Sequence, residues 1–197
     1  CNFIYKQRAM KILELFAGSR SIGNAAEELG HEVFSVDIKD FEGIDLVADI
    51  EFLKASDIPF VPDMIWASPP CTTYSIAAIS HHRKGGFPIS DFAKKSDRIM
   101  KNLLSVIKEF PEALYYIENP VGMMRKMKFM TGLNKGTVTY FNGNRKCHHE
   151  PAPRGSKTGT QGIKGNYNRS KIPNQLCKEI IQATHETIQA TTATHIG

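Results

Sequence analysis

No apolar run in the 197 residues approaches the ~20 that a membrane-crossing helix requires. The opening segment Cys1–Met10 has neither an apolar core nor a small-residue cleavage site, so no secretory leader is expected there. Cysteine is scarce: Cys1, Cys71, Cys147 and Cys177 lie far apart and form no C-x-x-C pair. That excludes a disulfide scaffold and reads as reduced thiols in a cytosolic protein. Neither the 15 glycines nor the 10 prolines reach the level of a collagen-like or low-complexity chain. No internal repeat is visible. What remains is a globular composition, 41% apolar and 23% charged, in a chain long enough for one domain of ordinary size.

The charge is unevenly placed. Residues 1–70 hold six Lys/Arg against twelve Asp/Glu, whereas residues 71–197 hold nineteen against eight. A basic second part fits a polyanionic partner, and equally a solvated surface, so composition alone does not choose between them.

Short apolar runs alternate with helical patterns. Lys11–Phe16 reads as a buried strand entering a tight turn at Ala17-Gly18-Ser19. Ile22, Ala25, Ala26 and Leu29 then mark a helix stopped by Gly30. Further strands are expected at Glu32–Ile38, at 45–50, at Pro62–Ala67 and at Ala113–Ile117. A long helix capped by Ser90 should run to about Phe110, with Phe92, Ile99, Leu103, Val106, Ile107 and Phe110 on its apolar side. Residues 72–89 read as a mobile basic loop, and 123–130 as a short Met-rich helix. Gly136–Phe141 reads as a hairpin strand and 142–172 as an extended basic segment. A closing helix over Leu176–Ala183 is followed by a frayed tail. This alternation predicts an α/β fold with a mostly parallel sheet.

Three strand ends carry chemistry. Gly18, in the turn after the first strand, would let a ligand approach backbone N–H groups, and Asp37, ending the next strand 19 residues later, suits ribose hydroxyls. Arg20 and Ile22 interrupt any G-x-G-x-x-G pattern, so tight βα packing alone explains this turn equally well. Ser68-Pro69-Pro70-Cys71 ends the fourth strand, where two prolines stiffen the backbone beside a candidate nucleophile. A lone cysteine is more often a buried structural one; the neighbouring Thr72, Thr73 and Ser75 and the basic loop argue against apolar burial here. Glu118-Asn119-Pro120 ends the fifth strand and, if strands four and five are neighbours, brings Glu118 to the same sheet edge as Cys71.

FAGS at 16–19, SPPC at 68–71 and ENP at 118–120, in this order, resemble the C5-cytosine DNA methyltransferases of small bacterial or phage type, over roughly residues 11–140. The resemblance implies a Rossmann-like S-adenosylmethionine-dependent fold: a mixed, mostly parallel sheet with helices on both faces. It implies that Phe16, Ala17, Gly18 and Ser19 cradle the methionine end of S-adenosylmethionine. Asp37 would take the ribose hydroxyls, Asp49 with Ile50 the adenine, and Ile38 would also belong to the cofactor site. Pro70 would shape the pocket, Cys71 attack C6 of cytosine, Glu118 bind N3 and the exocyclic amine, and Asn119 brace the loop. DNA is the implied partner, held through basic residues after Cys71; the oligomeric state stays open.

The chain differs from that pattern at Arg20 and Ser21, where the family continues with glycine, and at ENP, where ENV is commoner. Tyr140-Phe141 also runs straight into Asn142–Lys146, where a long recognition region is expected. The same chemistry on RNA or single-stranded DNA, or an idle nucleic-acid-binding relative, are the alternatives. Cys147-His148-His149 does not match ordinary zinc spacing, so no metal is expected. The expected organisation is a catalytic core over 1–141, a basic segment returning to it by a helix over 142–183, and a tail over 184–197. Arg169–Cys177 loosely resembles the family's C-terminal element that returns to the cofactor pocket.

Overall fold

The computed structural model describes residues 8–119, 122–132 and 171–194, with side chains to residue 191. The main sheet consists of β1 (Lys11–Leu15), β2 (Glu32–Asp37), β3 (Leu46–Val47), β4 (Met64–Ala67) and β7 (Leu114–Ile117). All are parallel, in the order β3-β2-β1-β4-β7. Between β4 and β7 the chain forms helix α2 (Ile79–His82), the hairpin strands β5 (Arg83–Lys84) and β6 (Phe87–Pro88), and helix α3 (Asp91–Lys108). Helix α1 (Ser21–Glu28) joins β1 to β2, and α4 (Asn174–Thr194) closes the chain. The expected hairpin strand at 136–141, the basic stretch 142–170 and Cys147-His148-His149 lie outside the described residues. No described helix is long and apolar enough to cross a membrane.

Pleating sorts the strand residues between two cores. Leu13, Leu15, Ile65 and Ala67 face α3, where Ile99, Met100, Leu103 and Ile107 cover them. Ile12, Met64 and Trp66 face the other way, toward Ile22, Ala25 and Ala26 of α1 and Cys177 and Ile181 of α4. Helices therefore cover both faces of a parallel sheet. The Ser90 hydroxyl accepts from Ala93 N–H at 3.1 Å and starts α3, as the sequence predicts. Phe92 departs from its expected apolar face: it is 48% exposed and lies edge-on against the His82 ring.

Four expected elements need correction. Residues 123–130 form two 3-10 turns, Met124–Lys126 and Lys128–Met130, instead of one helix, because Met127 between them is extended. The third strand covers only Leu46–Val47 instead of 45–50, because the chain turns away to bring Asp49 toward α3. Residues 72–89 form ordered short elements: a 3-10 turn, α2 and a hairpin whose Gly85-Gly86 turn has both φ angles positive (55° and 86°). The tail is not frayed after Thr184. Helix α4 continues to Thr194, and Cys177, Ile181, Thr184 and His185 form one buried stripe. Polar members hide that stripe from a hydropathy pattern. Thr184 bonds the Tyr116 hydroxyl at 2.8 Å, and His185 meets His31 edge-on at 5.4 Å between centroids.

Candidate active site

The sheet register brings four chain segments to one level. Val36, Leu15, Ala67 and Ile117 are side by side, so Asp37, Phe16, Ser68 and Glu118 leave the sheet together at its carboxyl edge. Backbone bonds extend the ladder outward, from Ala17 N–H to Val36 O at 3.1 Å and from Glu118 N–H to Ala67 O at 2.8 Å. Chain order reverses between β1 and β4, and open α/β sheets bind ligands in the crevice outside such a switch point.

In the turn after β1, Phe16 (φ 57°), Gly18 (51°) and Arg20 (53°) are all left-handed. Added to Gly18, a Cβ would meet nothing closer than Phe16 O at 3.9 Å, so the glycine serves the backbone angle and leaves open space above it. Gly18 N–H donates to Asp37 Oδ2 at 3.0 Å, and Lys39 N–H to Oδ1 at 2.9 Å. One carboxylate thus ties the turn to the end of β2. Ala17 is buried, Ser19 is half-buried and bonds Ser21, and Ile38 beside Asp37 is 55% exposed. An open turn, an acid and an exposed apolar side chain are a set that fits a nucleoside bearing an amino-acid tail. The chain also returns here near its C-terminus: Ile172 N–H donates to Ser21 Oγ at 3.1 Å.

Asp49 and Ile50 part company. The Asp49 carboxylate pairs with Lys95 at 2.7 Å and accepts from Glu51 N–H at 3.0 Å. Burial acts against its charge, but these contacts hold its pKa below the ordinary value. Ile50 is 2% exposed and packs its side chain inward under α3. Asn102 pins this segment by donating to Ile50 O and Leu53 O at 2.7 and 2.8 Å.

Cys71 is partly exposed, is a free thiol, and opens the 3-10 turn Thr72–Tyr74, which closes through Tyr74 N–H to Cys71 O at 3.0 Å. Its loop is tied to the one after β7. Asn119 Nδ2 donates to Pro69 O at 3.3 Å, Ser75 and Gly122 form an antiparallel bridge, and Met123 N–H donates to Tyr74 O at 2.8 Å. Asn119 therefore braces the loop, Pro69 is buried, and Pro70 is exposed next to Cys71. Glu118 keeps solvent access, yet partial burial where β7 leaves the sheet raises its carboxyl pKa above the ordinary value. Its carboxylate has no hydrogen-bond or ion-pair partner among the described residues. A carboxyl held this way can share a proton with a ligand.

Two groups escaped the sequence reading. Arg83, taken as part of a basic loop, is buried: it pairs with Asp97 at 2.6 Å and donates to Thr73 O at 2.9 Å. Its guanidinium lies 4.2 Å from the Tyr74 ring centroid. The usable signal was Lys84-Gly85-Gly86-Phe87, a hairpin turn that makes Arg83 a strand residue. Glu14 is the other. It is 2% exposed in the middle of β1 and accepts from Ile22 N–H at 3.0 Å and from Ser35 Oγ at 3.1 Å. A carboxyl interrupting the run Lys11–Phe16 was its signal. Among the described residues no cluster of His, Cys, Asp or Glu could hold a metal ion.

No family model matches the chain. The probable DNA (cytosine-5)-methyltransferase of Frog virus 3 (isolate Goorha) is 29% identical over 125 residues, which are 59% of this chain and 57% of that protein. The chain thus spans little more than half the length of that relative. Among solved structures, the S. pombe Dnmt2 methyltransferase matches with a TM-score of 0.42 and 19% identity, covering 62% of this chain and 37% of that one. A Spodoptera frugiperda DNMT2 mutant matches at 0.43 and 21%, covering 62% and 38%.

Proposed function

We propose that this chain, a relative of the C5-cytosine methyltransferases, methylates C5 of cytosine in DNA with S-adenosylmethionine as donor. The observation that carries the reading is the shared sheet edge. A proline-stiffened cysteine and a carboxyl of raised pKa with no partner among the described residues stand on neighbouring strands, joined by Asn119, beside a turn fit for a nucleoside cofactor. Phe16, Ala17, Gly18 and Ser19 would hold the amino-acid end of the cofactor, Asp37 and Ile38 its ribose side, and Asp49 its base.

Carbon 5 of cytosine is a poor nucleophile until electron density is pushed into the ring. The Cys71 sulfur adds to C6 and makes that density available at C5, while the Glu118 carboxyl shares its proton with N3 and stabilises the charge that develops. S-adenosylmethionine, when bound, supplies an electrophilic methyl group. After transfer, loss of the C5 proton and departure of the Cys71 sulfur restore the aromatic ring and free the enzyme. A cytosine in duplex DNA must leave the stack to reach Cys71, at a cost of a few kcal/mol. The excess of Lys and Arg after residue 70, including the stretch 142–172, supports a phosphate-binding role and predicts salt-sensitive binding. The core over 1–141 would carry the chemistry and the segment from 142 onward the nucleic-acid contacts.

The test is transfer of labelled methyl to duplex DNA, with DNA containing 5-fluorocytosine beside it. The expected result is transfer and a cofactor-dependent covalent adduct, both lost in Cys71→Ser while DNA binding remains. An unchanged methylation rate in Cys71→Ser would sink the mechanism. Transfer to RNA or single-stranded DNA alone would replace duplex DNA as the substrate, and cofactor-free binding without transfer would indicate a binding relative.

A further inference from the structure

We propose that Arg83 and Asp97 form a buried positioning device that presets the turn carrying Cys71; the proposal rests on the nucleophile reading above and deepens it. The Arg83 side chain is wholly buried, and Asp97 keeps 13% of its side-chain surface. Arg83 grips Asp97 through two bonds, Nη1 to Oδ2 at 3.1 Å and Nη2 to Oδ1 at 2.6 Å. The same guanidinium donates through Nε to Thr73 O at 2.9 Å and through Nη2 to Thr73 Oγ1 at 3.3 Å. Tyr74 closes the cluster, its ring under the guanidinium and its hydroxyl donating to Asp97 Oδ1 at 2.8 Å.

Apart from the Arg83–Asp97 pair itself, each of these contacts falls on Thr73 or Tyr74, the two residues that complete the turn begun by Cys71. Arg83 supplies a planar fork with its donors at fixed angles, which a lysine in its place would not reproduce. Asp97 is anchored in turn by α3, a rigid helix packed on the main sheet. With Asn119 and Met123 holding the opposite side, the sulfur's carrier is fixed from both flanks. Reaction at C6 depends on the approach of sulfur to carbon, and a displacement of about 1 Å can cost on the order of 100-fold in rate. The segment 49–53 is held by other side chains of α3, namely Lys95, Arg98 and Asn102. Cofactor affinity therefore provides an independent readout.

The experiment compares the full chain with Arg83→Met/Asp97→Asn and with Arg83→Lys. The neutral pair removes the buried charge from both sides and keeps an acceptor for the Tyr74 hydroxyl; Arg83→Lys keeps the charge and loses the fork, and decides the matter should the pair not fold. In folded protein, the rate of adduct formation with 5-fluorocytosine DNA at saturating DNA is expected to fall about 10- to 100-fold. Arg83→Lys should lie between the pair and the parent, with S-adenosylmethionine affinity unchanged throughout. A wild-type adduct rate in the folded variants overturns the proposal and leaves the nucleophile assignment intact. Failure of the parent protein itself to form an adduct removes both.

Discussion

Glu14→Gln tests the account of the turn after β1 most directly. Glu14 points from β1 to the side covered by α1, where Arg20 at the N-cap provides no side-chain cap. Its carboxyl takes over that task from the sheet below, accepting from Ile22 N–H and Gly23 N–H as well as from Ser35 Oγ. Burial raises its pKa from 4.5 to about 7, against the bonds from Gly23, Ser35 and Ile22 and the nearby charge of Arg20. Cys177, the thiol facing it from α4, is pushed up to about 11 by its own burial and by Glu14, so it stays neutral throughout the relevant range.

The sign follows from proton counting. Between pH 4.5 and about 7 the folded chain holds a proton on Glu14 that the unfolded chain has released. The stability contributed by the neutral acid is therefore complete below pH 4.5 and is lost as pH rises through 7. The interval corresponds to about 3 kcal/mol. Glutamine keeps one oxygen for the helix N–H groups and can donate its amide to Ser35 Oγ, but does not ionise. The stability of Glu14→Gln minus that of the parent should climb by about 3 kcal/mol from pH 4.5 to pH 8, or ~6–12 °C in Tm for a domain of this size. Thermal unfolding of both proteins across that range measures it. Any cost of the altered hydrogen bonds shifts the whole curve without changing its slope. A flat difference would refute the reasoning.

Substitutions at two further positions test the same corner. Gly23→Ala, ordinarily worth about 1 kcal/mol of helix stability, should instead destabilise by about 1–3 kcal/mol, because its Cβ would stand 2.6 Å from Glu14 Oε2 and 3.2 Å from Ser35 Oγ; a urea midpoint above that of the parent would contradict this. Arg20→Gly and Arg20→Ala both lose the bonds to Ser35 and Glu27, but only alanine must bear the positive φ of 53°. The glycine variant should be the more stable by about 1 kcal/mol in urea unfolding, and equal midpoints would mean that the left-handed angle is not maintained.

What was legible in the sequence was local. Lys11–Phe16, Glu32–Ile38 and Pro62–Ala67 are short and apolar enough that only buried parallel strands accommodate them. Ser90 and the apolar spacing through Ile107 leave little choice but a helix. That Cys71, Glu118 and Asn119 would meet at one edge was legible because strand ends in such a sheet converge. What was not legible depended on partners far along the chain. A basic residue in His81–Gly86 looks solvated until Asp97 is known to face it, and Thr184 and His185 look like tail until Tyr116 and His31 meet them. The inward turn of Ile50 was hidden for the same reason: the chain leaves the short third strand before it and packs it under α3.

Helix α3 explains why the missed residues matter to the site as much as those that were found. Within two turns it presents Lys95 to Asp49, Asp97 to Arg83 and Tyr74, Arg98 to Glu51, and Asn102 to the backbone of Ile50 and Leu53. The segment expected at the cofactor's base and the turn carrying the thiol do not depend on each other for their positions; each is fastened to the same rigid rod. Its apolar face, from Ile99 to Ile107, is packed on Leu13, Leu15, Ile65 and Ala67, whose strands end in the two central loops of the edge. An error in how α3 seats on the sheet would move the acid loop and the thiol together. An error at one polar contact would move only one of them. That separation makes the Arg83 and Asp97 variants interpretable: they act on the thiol's carrier while Lys95, Arg98 and Asn102 continue to hold the other half of the site.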